Sequence, residues 1–289
     1  LYDSNEALLA KLQAGNVEYD LVMPTDYMVE ILIRQNLLAP LDKTRLPTAW
    51  KNADPRFLGQ SCDPKNEYSV PYAWGTTGLA YRADLVKEKV TSWDALFDQR
   101  FAGHILLLDD TREVFGMALK KLGYSLNTTH PDEVRRARDL FMAQKPLVKG
   151  YNSSNFEQDL VGGDAWIAQA YNGNMTFAMR DEPRIFYVIP KEGCTISFDS
   201  AGIPRNAPHK SLAHEFINYF HRPEVAGAFV NDSGFNAPNL YAARGVEPWI
   251  LAQPAIFPDP ASLANCEFMR DLGPTVALYD QYWTEIKAR

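Results

Sequence analysis

The stretch LLLDDTREVF, residues 106–115, joins an apolar run to the start of a charged amphipathic segment. The apolar run predicts a buried strand, and the periodicity after it predicts a helix that ends at Gly123. Asp110 and Glu113 fit the pattern in which an N-cap side chain and a carboxylate three residues later bind free backbone N–H groups. Open α/β sheets also hold ligands where a strand ends before a helix. The pair can therefore cap the helix and still accept a hydrogen bond from an ammonium group.

The same alternation of strand and helix extends along the chain. EALLAKLQAG, after a capping Asn5, predicts a helix, YDLVMP (19–24) predicts a short strand, and DYMVEILIRQNLL predicts a second helix. YSVPYAWGTTGLAYR (68–82) and ISFDSAGIP (196–204) have no helical period and predict extended crossing segments. Short alternating strands and helices indicate an α/β fold with a mainly parallel sheet. We therefore expect two domains joined by crossing strands rather than by a flexible linker.

The composition of the 289-residue chain limits the possible partners. Its net charge is −7 and no cluster of Lys or Arg stands out, which disfavours nucleic acid and anionic membranes and is compatible with a cationic ligand. No apolar run approaches the ~18 residues that would span a bilayer. Cys62, Cys194 and Cys266 lie far apart in the sequence without metal-site spacing. Buried free thiols are expected, and at most one disulfide can form.

The familiar catalytic patterns are absent from the sequence. It contains no GxSxG, Walker, GxGxxG or HExxH motif, and its histidines show no metal-ligand spacing. His209, His214 and His221 flank one surface-type helix, which predicts that they are solvated. Paired carboxylates could serve a glycosidase, but no further catalytic partner accompanies them. The prediction is a protein that is not an enzyme and needs no cofactor or metal.

Two kinds of residue suggest a binding site instead. Asp199 is a lone acid in an apolar, strand-like run, so it needs a polar partner or an opening to water. The rings of Tyr27, Trp74, Tyr171 and Phe235 lie in loop-like or crossing segments. Aromatic faces bind cations and alkyl chains. A core role is the commoner one for an aromatic ring, so both roles stay open at this point.

Seven motifs spread over nearly the whole chain point to one family. They occur in the order YDLVMPTDYMVE, YSVPYAWGTTGLAYR, VTSWDALFD, LLLDDTREVFGMALKKLGYSLNTT, PKEGCTISFDS, HRPEVA and FNAPNLYAAR. In these motifs and in their order, the chain resembles the bacterial spermidine/putrescine-binding proteins of ABC importers. The resemblance implies a two-lobed type II periplasmic-binding-protein fold, with mixed, mainly parallel sheets joined by hinge strands. It implies that residues 1–74 with 198–245 form one lobe and residues 75–197 with 246–289 form the other.

The same resemblance implies a ligand site in the cleft between the lobes. It assigns the ammonium-binding acids to Asp110, Glu113 and Asp199, and it adds Thr25 and Tyr27 to the ligand-lining residues. The chemistry agrees, because a polyamine needs carboxylates at intervals and aromatic walls for its methylene groups. Burying an ammonium group beside a single carboxylate costs more than it returns, so several acids are expected.

Several positions depart from the family pattern. Tyr171 replaces the tryptophan of a W-N-G motif, and Phe235 replaces a tyrosine before P-N. Ser197 or Phe198 must fill the space where some members carry a larger ring before the aspartate. Met269 stands where the family uses a glutamine amide. Because each change removes a ring or a hydrogen-bonding group, the choice of polyamine or of another cation stays open.

The function implied is that of an extracytoplasmic receptor, periplasmic or lipid-anchored, which captures spermidine or putrescine and delivers it to the permease of an ABC transporter. We expect a monomer that does not bind nucleic acid. Members of the family begin with a strand and a W-[ST]-[DE]-Y segment, and this chain begins after that point, at a segment that resembles their first helix. If the strand and the motif are absent, we expect weaker affinity for the ligand. The alternatives are a receptor of the same fold for another amino-containing molecule and a sensor that has lost transport.

Overall fold

A computed structural model of the chain describes residue 2, residues 5–15 and residues 18–288. Its helices are α1 (Asn5–Ala14), α2 (Asp26–Arg34), α3 (Pro47–Asn52), α4 (Thr111–Lys121), α5 (Pro131–Gln144), α6 (Phe156–Gly162), α7 (Asn172–Asp181), α8 (Lys210–Phe220), α9 (Pro223–Ser233), α10 (Pro248–Leu251) and α11 (Val276–Ala288). Its strands are β1 (Ser69–Arg82), β2 (Ile105–Leu107), β3 (Val148–Tyr151), β4 (Ile167–Tyr171), β5 (Ile185–Val188), β6 (Thr195–Gly202) and β7 (Glu267–Phe268).

Short 3₁₀ helices connect these elements. They span Lys43–Arg45, Pro55–Phe57, Trp93–Phe97, Gln99–Phe101, Lys145–Leu147, Ala242–Gly245, Pro260–Leu263 and Gly273–Thr275. The segment Trp93–Phe97 is one of them, and the Ser92 side chain caps it by accepting a hydrogen bond from the backbone N–H of Asp94. Helices α8 and α9 are separated at residues 221–222, and Pro223 is the first residue of α9.

The chain divides into two compact units. Unit 1 consists of Leu1–Trp74 and Ser197–Leu251, and unit 2 consists of Gly75–Ile196 and Ala252–Arg289. The chain passes from one unit to the other within β1, within β6 and directly after α10. The two segments predicted as extended crossings are therefore the strands in which two of these passages occur.

The strands neighbour one another in the order β3-β2-β4-β1-β6-β7, and β5 pairs with β1. β2 runs parallel to β3 and β4, and β6 runs parallel to β7, whereas β1 is antiparallel to β4 and β5. The predicted mixed α/β class is thus confirmed. Gly78 permits the close approach of β5 to β1, because a Cβ atom at residue 78 would lie 2.4 Å from the Val188 carbonyl oxygen.

The core of unit 2 is built around the helices that flank its strands. Phe115 of α4, Phe141 of α5 and Tyr279 of α11 are fully buried, and the Phe115 ring contacts the other two edge-on, at centroid distances of 5.4 and 5.2 Å. These contacts pack α4 against α5 and α11, and only residues 108–110 separate β2 from the N-terminus of α4.

Unit 1 pairs residues 22–25 with β6 without forming a regular strand. Val22 bridges Gly202 and Thr25 bridges Asp199, both antiparallel and in one register. Pro24 lies between these bridges and has no N–H group to donate, which interrupts the ladder that YDLVMP was predicted to form. The segment predicted as a strand is therefore a pair of isolated bridges, and its register places Thr25 opposite Asp199.

The prediction that the three histidines around α8 are solvated is wrong for two of them. His214 is buried; its Nε2 accepts the backbone N–H of Asp42 at 2.9 Å, and its Nδ1 lies 2.7 Å from the Lys210 carbonyl oxygen. His221 is 2% exposed, and burial lowers the pKa of its imidazole to about 4. Both share the inner face of the helix with Ile217, since residues three, four and seven apart lie on one side.

Candidate ligand-binding site

Asp110 caps helix α4, as the sequence predicts. Its φ and ψ angles of −138° and 113° are extended, and its Oδ1 accepts the backbone N–H groups of Arg112 at 2.9 Å and Glu113 at 3.1 Å. Gln169 of β4 fixes the first turn by donating from its amide to the Glu113 carbonyl oxygen at 2.8 Å. One oxygen of Asp110 thus caps the helix, while the other accepts a hydrogen bond from the Tyr171 hydroxyl.

Glu113 is a buried acid whose charge is poorly compensated. Its side chain is 5% exposed, and its Oε2 has no hydrogen-bond partner among the described residues. Burial, followed by the nearby charge of Asp110, raises the pKa of Glu113 to about 8, although the Thr195 hydroxyl and the Arg112 guanidinium act in the opposite direction. A cation beside Glu113 would restore its ionised form.

Tyr171 lies at the end of β4, next to Asp110. Its hydroxyl donates to Asp110 Oδ2 across 3.5 Å, and its ring meets the edge of Phe156 at a centroid distance of 6.0 Å. Burial and the negative charges of Asp110 and Glu113 hold the pKa of the phenol far above its usual range, so the hydroxyl stays protonated. Asp110, Glu113 and Tyr171 form the acid cluster of unit 2.

Met269 follows β7 and is also buried. The Arg112 guanidinium donates to the carbonyl oxygen of Arg270 at 3.0 Å, which links the segment after β7 to the first turn of α4. This hydrogen bond goes to the backbone of Arg270, the residue after Met269, and does not involve the Met269 side chain. A contact of the Met269 side chain with a ligand stays a prediction.

In unit 1, Asp199 has a polar partner, Thr25, as the apolar run around it predicted. The Thr25 hydroxyl donates to Asp199 Oδ1 at 2.9 Å, across the register described above. Burial raises the pKa of Asp199 to about 6, and the bond from Thr25 lowers it by a smaller amount. Asp199 and Ser197 lie on the same face of β6, and both residues are half-buried.

A polar network from helix α1 extends this second acid site. The Asn5 amide donates to the hydroxyl oxygens of Thr25 and Tyr27, both at 3.1 Å, and Tyr27 donates to Glu6 Oε1 at 3.1 Å. Asn5 and Glu6 were not predicted as site residues, because nothing local in NEALL separates them from an ordinary helix start. Thr25, Tyr27 and Asp199 with Asn5 and Glu6 form the acid cluster of unit 1.

The structure places Phe198 in packing rather than beside this carboxylate. Its ring is 3% exposed and meets the edge of Phe57 at a centroid distance of 5.8 Å, and Phe57 in turn packs on Trp74 at 5.1 Å. Adjacent strand residues point to opposite faces, so Phe198 and Asp199 diverge. Phe235, half-buried, stands beside Asn236, which bridges Trp74. Ligand contacts of Phe198 and Phe235 stay predictions.

Neither a metal site nor a membrane-spanning helix is seen in the part of the chain that the structure describes. Among the described residues, no group of three or more His, Cys, Asp or Glu side chains is arranged to hold a metal ion. No helix within the same residues combines the length and the apolarity that crossing a membrane requires.

Comparison with known proteins decides the family. Residues 2–258 match the model of the family described as bacterial extracellular solute-binding protein. The spermidine/putrescine-binding periplasmic protein of Escherichia coli K12 is 37% identical over 289 residues, which cover 99% of this chain and 83% of that protein. The chain belongs to the bacterial extracellular solute-binding proteins.

Other members of the family agree in sequence and in structure. The putrescine/cadaverine-binding protein of Pseudomonas aeruginosa PAO1 is 33% identical, with 100% of this chain and 85% of that protein covered. A putative spermidine/putrescine ABC transporter structure from Listeria monocytogenes superposes with a TM-score of 0.92 at 35% identity, covering 99% of this chain and 89% of that one. The predicted binding-protein fold and the predicted location outside the cytoplasm are confirmed by this membership.

Proposed function

We propose that this extracellular solute-binding protein captures a polyamine, spermidine or putrescine, and delivers it to the permease of an ABC transporter. The relatives that match almost the whole chain carry these ligands in their names, which supports the proposal. The observation that carries it is the acid cluster of unit 2. There, Glu113 is buried with an unpartnered oxygen beside a second carboxylate.

An ammonium group supplies what this cluster lacks. A buried carboxylate without a counter-charge takes up a proton instead, and an N–H donor from a cation restores the ion through a charge-assisted hydrogen bond. Asp110 contributes a second charge while its Oδ1 caps the helix. The Tyr171 ring, next to Asp110, offers an aromatic surface to the methylene groups that follow an amine.

The acid cluster of unit 1 is suited to the same chemistry. Thr25 holds one oxygen of Asp199, so the carboxylate is oriented before a ligand arrives. Tyr27 is held in turn by Asn5 and Glu6. Such preorganisation saves the cost of ordering side chains on binding. In this proposal Asp199 accepts an ammonium hydrogen bond and Tyr27 lines the ligand.

We also propose that units 1 and 2 are the two lobes expected from the sequence. We propose further that Phe198, Phe235 and Met269 contact the ligand. The protein acts as a monomer, without a bond made or broken in its ligand. Its work is to bind, to change shape with the ligand and to present it to the permease.

Isothermal titration calorimetry with spermidine, putrescine and cadaverine tests the function. The variants are Glu113→Gln and Asp199→Asn, and the matched control is Glu88→Gln, whose carboxylate is 44% exposed beside Arg100. We expect micromolar binding, roughly −8 kcal/mol, in the wild type and the control. Each acid variant should lose at least about tenfold in affinity, or about 1.4 kcal/mol. A folded wild type without heat for any of the three amines would refute the proposal.

A further inference from the structure

Cys194 and Cys266 lie side by side at the start of a parallel strand pair. β6 and β7 pair with Thr195 opposite Glu267 and Ile196 opposite Phe268, so the two cysteines are opposite each other one step earlier. Their sulfur atoms are 3.5 Å apart, and the backbone N–H of Cys194 donates to Cys266 Sγ at 3.3 Å. The sequence offered no sign of this contact, because 71 residues separate the two positions.

This placement fits the requirements of a disulfide. Neighbouring strands are ~4.8 Å apart, and disulfides join residues whose Cα atoms are about 4.4–6.8 Å apart. The sulfur atoms need to approach by only about 1.5 Å to reach bonding distance. Cys266 is partly exposed and can make that adjustment, whereas Cys194 is 1% exposed and held by its neighbours.

The residue before Cys194 is held in place by contacts with Trp93 and Asn265. Gly193 has a φ of +88°, which a glycine adopts without strain, and its carbonyl oxygen accepts the indole N–H of Trp93 at 2.8 Å. A Cβ atom at residue 193 would collide with the Asn265 carbonyl oxygen at 1.9 Å. The chain before Cys266 is therefore packed directly on the chain before Cys194.

We propose that Cys194 and Cys266 form a disulfide bond when the protein is in an oxidising compartment. Disulfides form and persist outside the cytoplasm, where the members of this family reside. The oxidant is a disulfide donor, either a thiol–disulfide exchange protein or a small disulfide such as oxidised glutathione.

Exchange begins at the accessible thiol. A hydrogen bond from Cys194, with help from the Lys120 ammonium group, lowers the pKa of Cys266. Its thiolate attacks one sulfur of the donor disulfide, forms a mixed disulfide and releases one donor thiolate. Cys194, after losing its proton, attacks Cys266 Sγ and releases the second donor thiolate. Two protein thiols become one disulfide, and two electrons and two protons pass to the donor.

The bond would join two parts of unit 2 that the chain separates widely. The closed loop contains the whole segment Ser197–Leu251, which belongs to unit 1. Thr195, next to Cys194, lowers the pKa of Glu113 through its hydroxyl, and Met269 follows Cys266 by three residues. The disulfide therefore braces the edge of the acid cluster in unit 2.

Cys62 serves as an internal control. It is buried in unit 1, and burial raises the pKa of its thiol to about 12, which keeps it protonated. It should remain a free thiol under conditions that oxidise the other two.

The test is a thiol count on the native protein after equilibration with oxidised glutathione. The sample is then unfolded, alkylated and digested for mass spectrometry. We expect alkylation at Cys62 alone and a linked peptide pair that contains Cys194 and Cys266. Cys62→Ser should give no alkylated residue, and the double variant Cys194→Ser/Cys266→Ser should give one, at Cys62.

Three alkylated cysteines in the wild type, a link that involves Cys62, or glutathione retained on Cys266 would overturn the proposal. A second measurement is the melting temperature with and without a phosphine reductant. It should fall on reduction for the wild type and for Cys62→Ser, and stay unchanged for the double variant. No amine ligand takes part, so the result is independent of whether polyamines bind.

Discussion

Replacing Glu113 by glutamine should stabilise the ligand-free protein at alkaline pH and should weaken the proposed binding of an amine. The side chain is 5% exposed, and burial with the charge of Asp110 raises its pKa from 4.5 to about 8. The folded state therefore holds a proton over a pH range where the unfolded state has released it. The stability that this proton gives is complete below the unfolded pKa and is lost as pH rises through the folded pKa.

The size of the effect follows from the shift. One pKa unit corresponds to about 1.36 kcal/mol, so the folded wild type should lose roughly 3 to 4 kcal/mol of unfolding free energy from this group between about pH 5 and about pH 8. Glutamine has nearly the same shape and no charge, so the variant lacks this loss. The difference between variant and wild type should become more positive by that amount at the higher pH.

Urea titrations of the two proteins at both pH values, without ligand, measure this change. Taking the difference between pH values cancels the constant cost of burying an amide in place of an acid. Glu88→Gln is the control, and its half-exposed carboxylate should give a change below about 0.5 kcal/mol. At one fixed concentration, spermidine should then stabilise the wild type more than it stabilises Glu113→Gln. A variant whose advantage is the same at both pH values would show that Glu113 ionises freely, and the reasoning would be wrong.

Four further outcomes are expected. Spermidine affinity should rise between about pH 5 and pH 8 in calorimetry, since Asp199, with a pKa of about 6, must ionise to bind an ammonium group; a flat profile would contradict this. Reduction of the Cys194–Cys266 bond should lower the unfolding free energy in urea by roughly 4 kcal/mol, and an equal value in both redox states would exclude the bond. As pH falls from 6.5 to 4, the unfolding free energy of the wild type should fall by about 3 kcal/mol relative to that of His221→Leu in urea titrations, because the unfolded state takes up a proton that the buried His221 imidazole does not bind; a difference that does not change with pH would contradict this. Tyr171→Phe should weaken spermidine binding by less than about threefold, because its hydroxyl lies at 3.5 Å from Asp110; a loss of a hundredfold would show a direct ligand bond.

The sequence determined the features that depend on neighbours along the chain. The alternation of strand and helix patterns predicted the α/β class. The spacing of Asp110 and Glu113 predicted that Asp110 caps helix α4, because a cap joins residues only two or three positions apart. The position of Asp199 as the single acid in an apolar run predicted that its carboxylate has a polar partner or an opening to water. Motif order over nearly the whole chain predicted the family that the comparisons established.

Only the tertiary structure decided which distant residues meet. Thr25 reaches Asp199 across 174 positions because two bridges set the register, and His221 is buried because its helix turns that face inward. Cys194 meets Cys266 through a strand of two residues that no periodicity could indicate. Burial also sets the pKa of Glu113, since desolvation depends on everything packed around a carboxylate. Periodicity and capping depend on residues that are close in sequence, so they can be predicted from it. Strand register and desolvation depend on distant segments, so they are set only when the whole chain is packed.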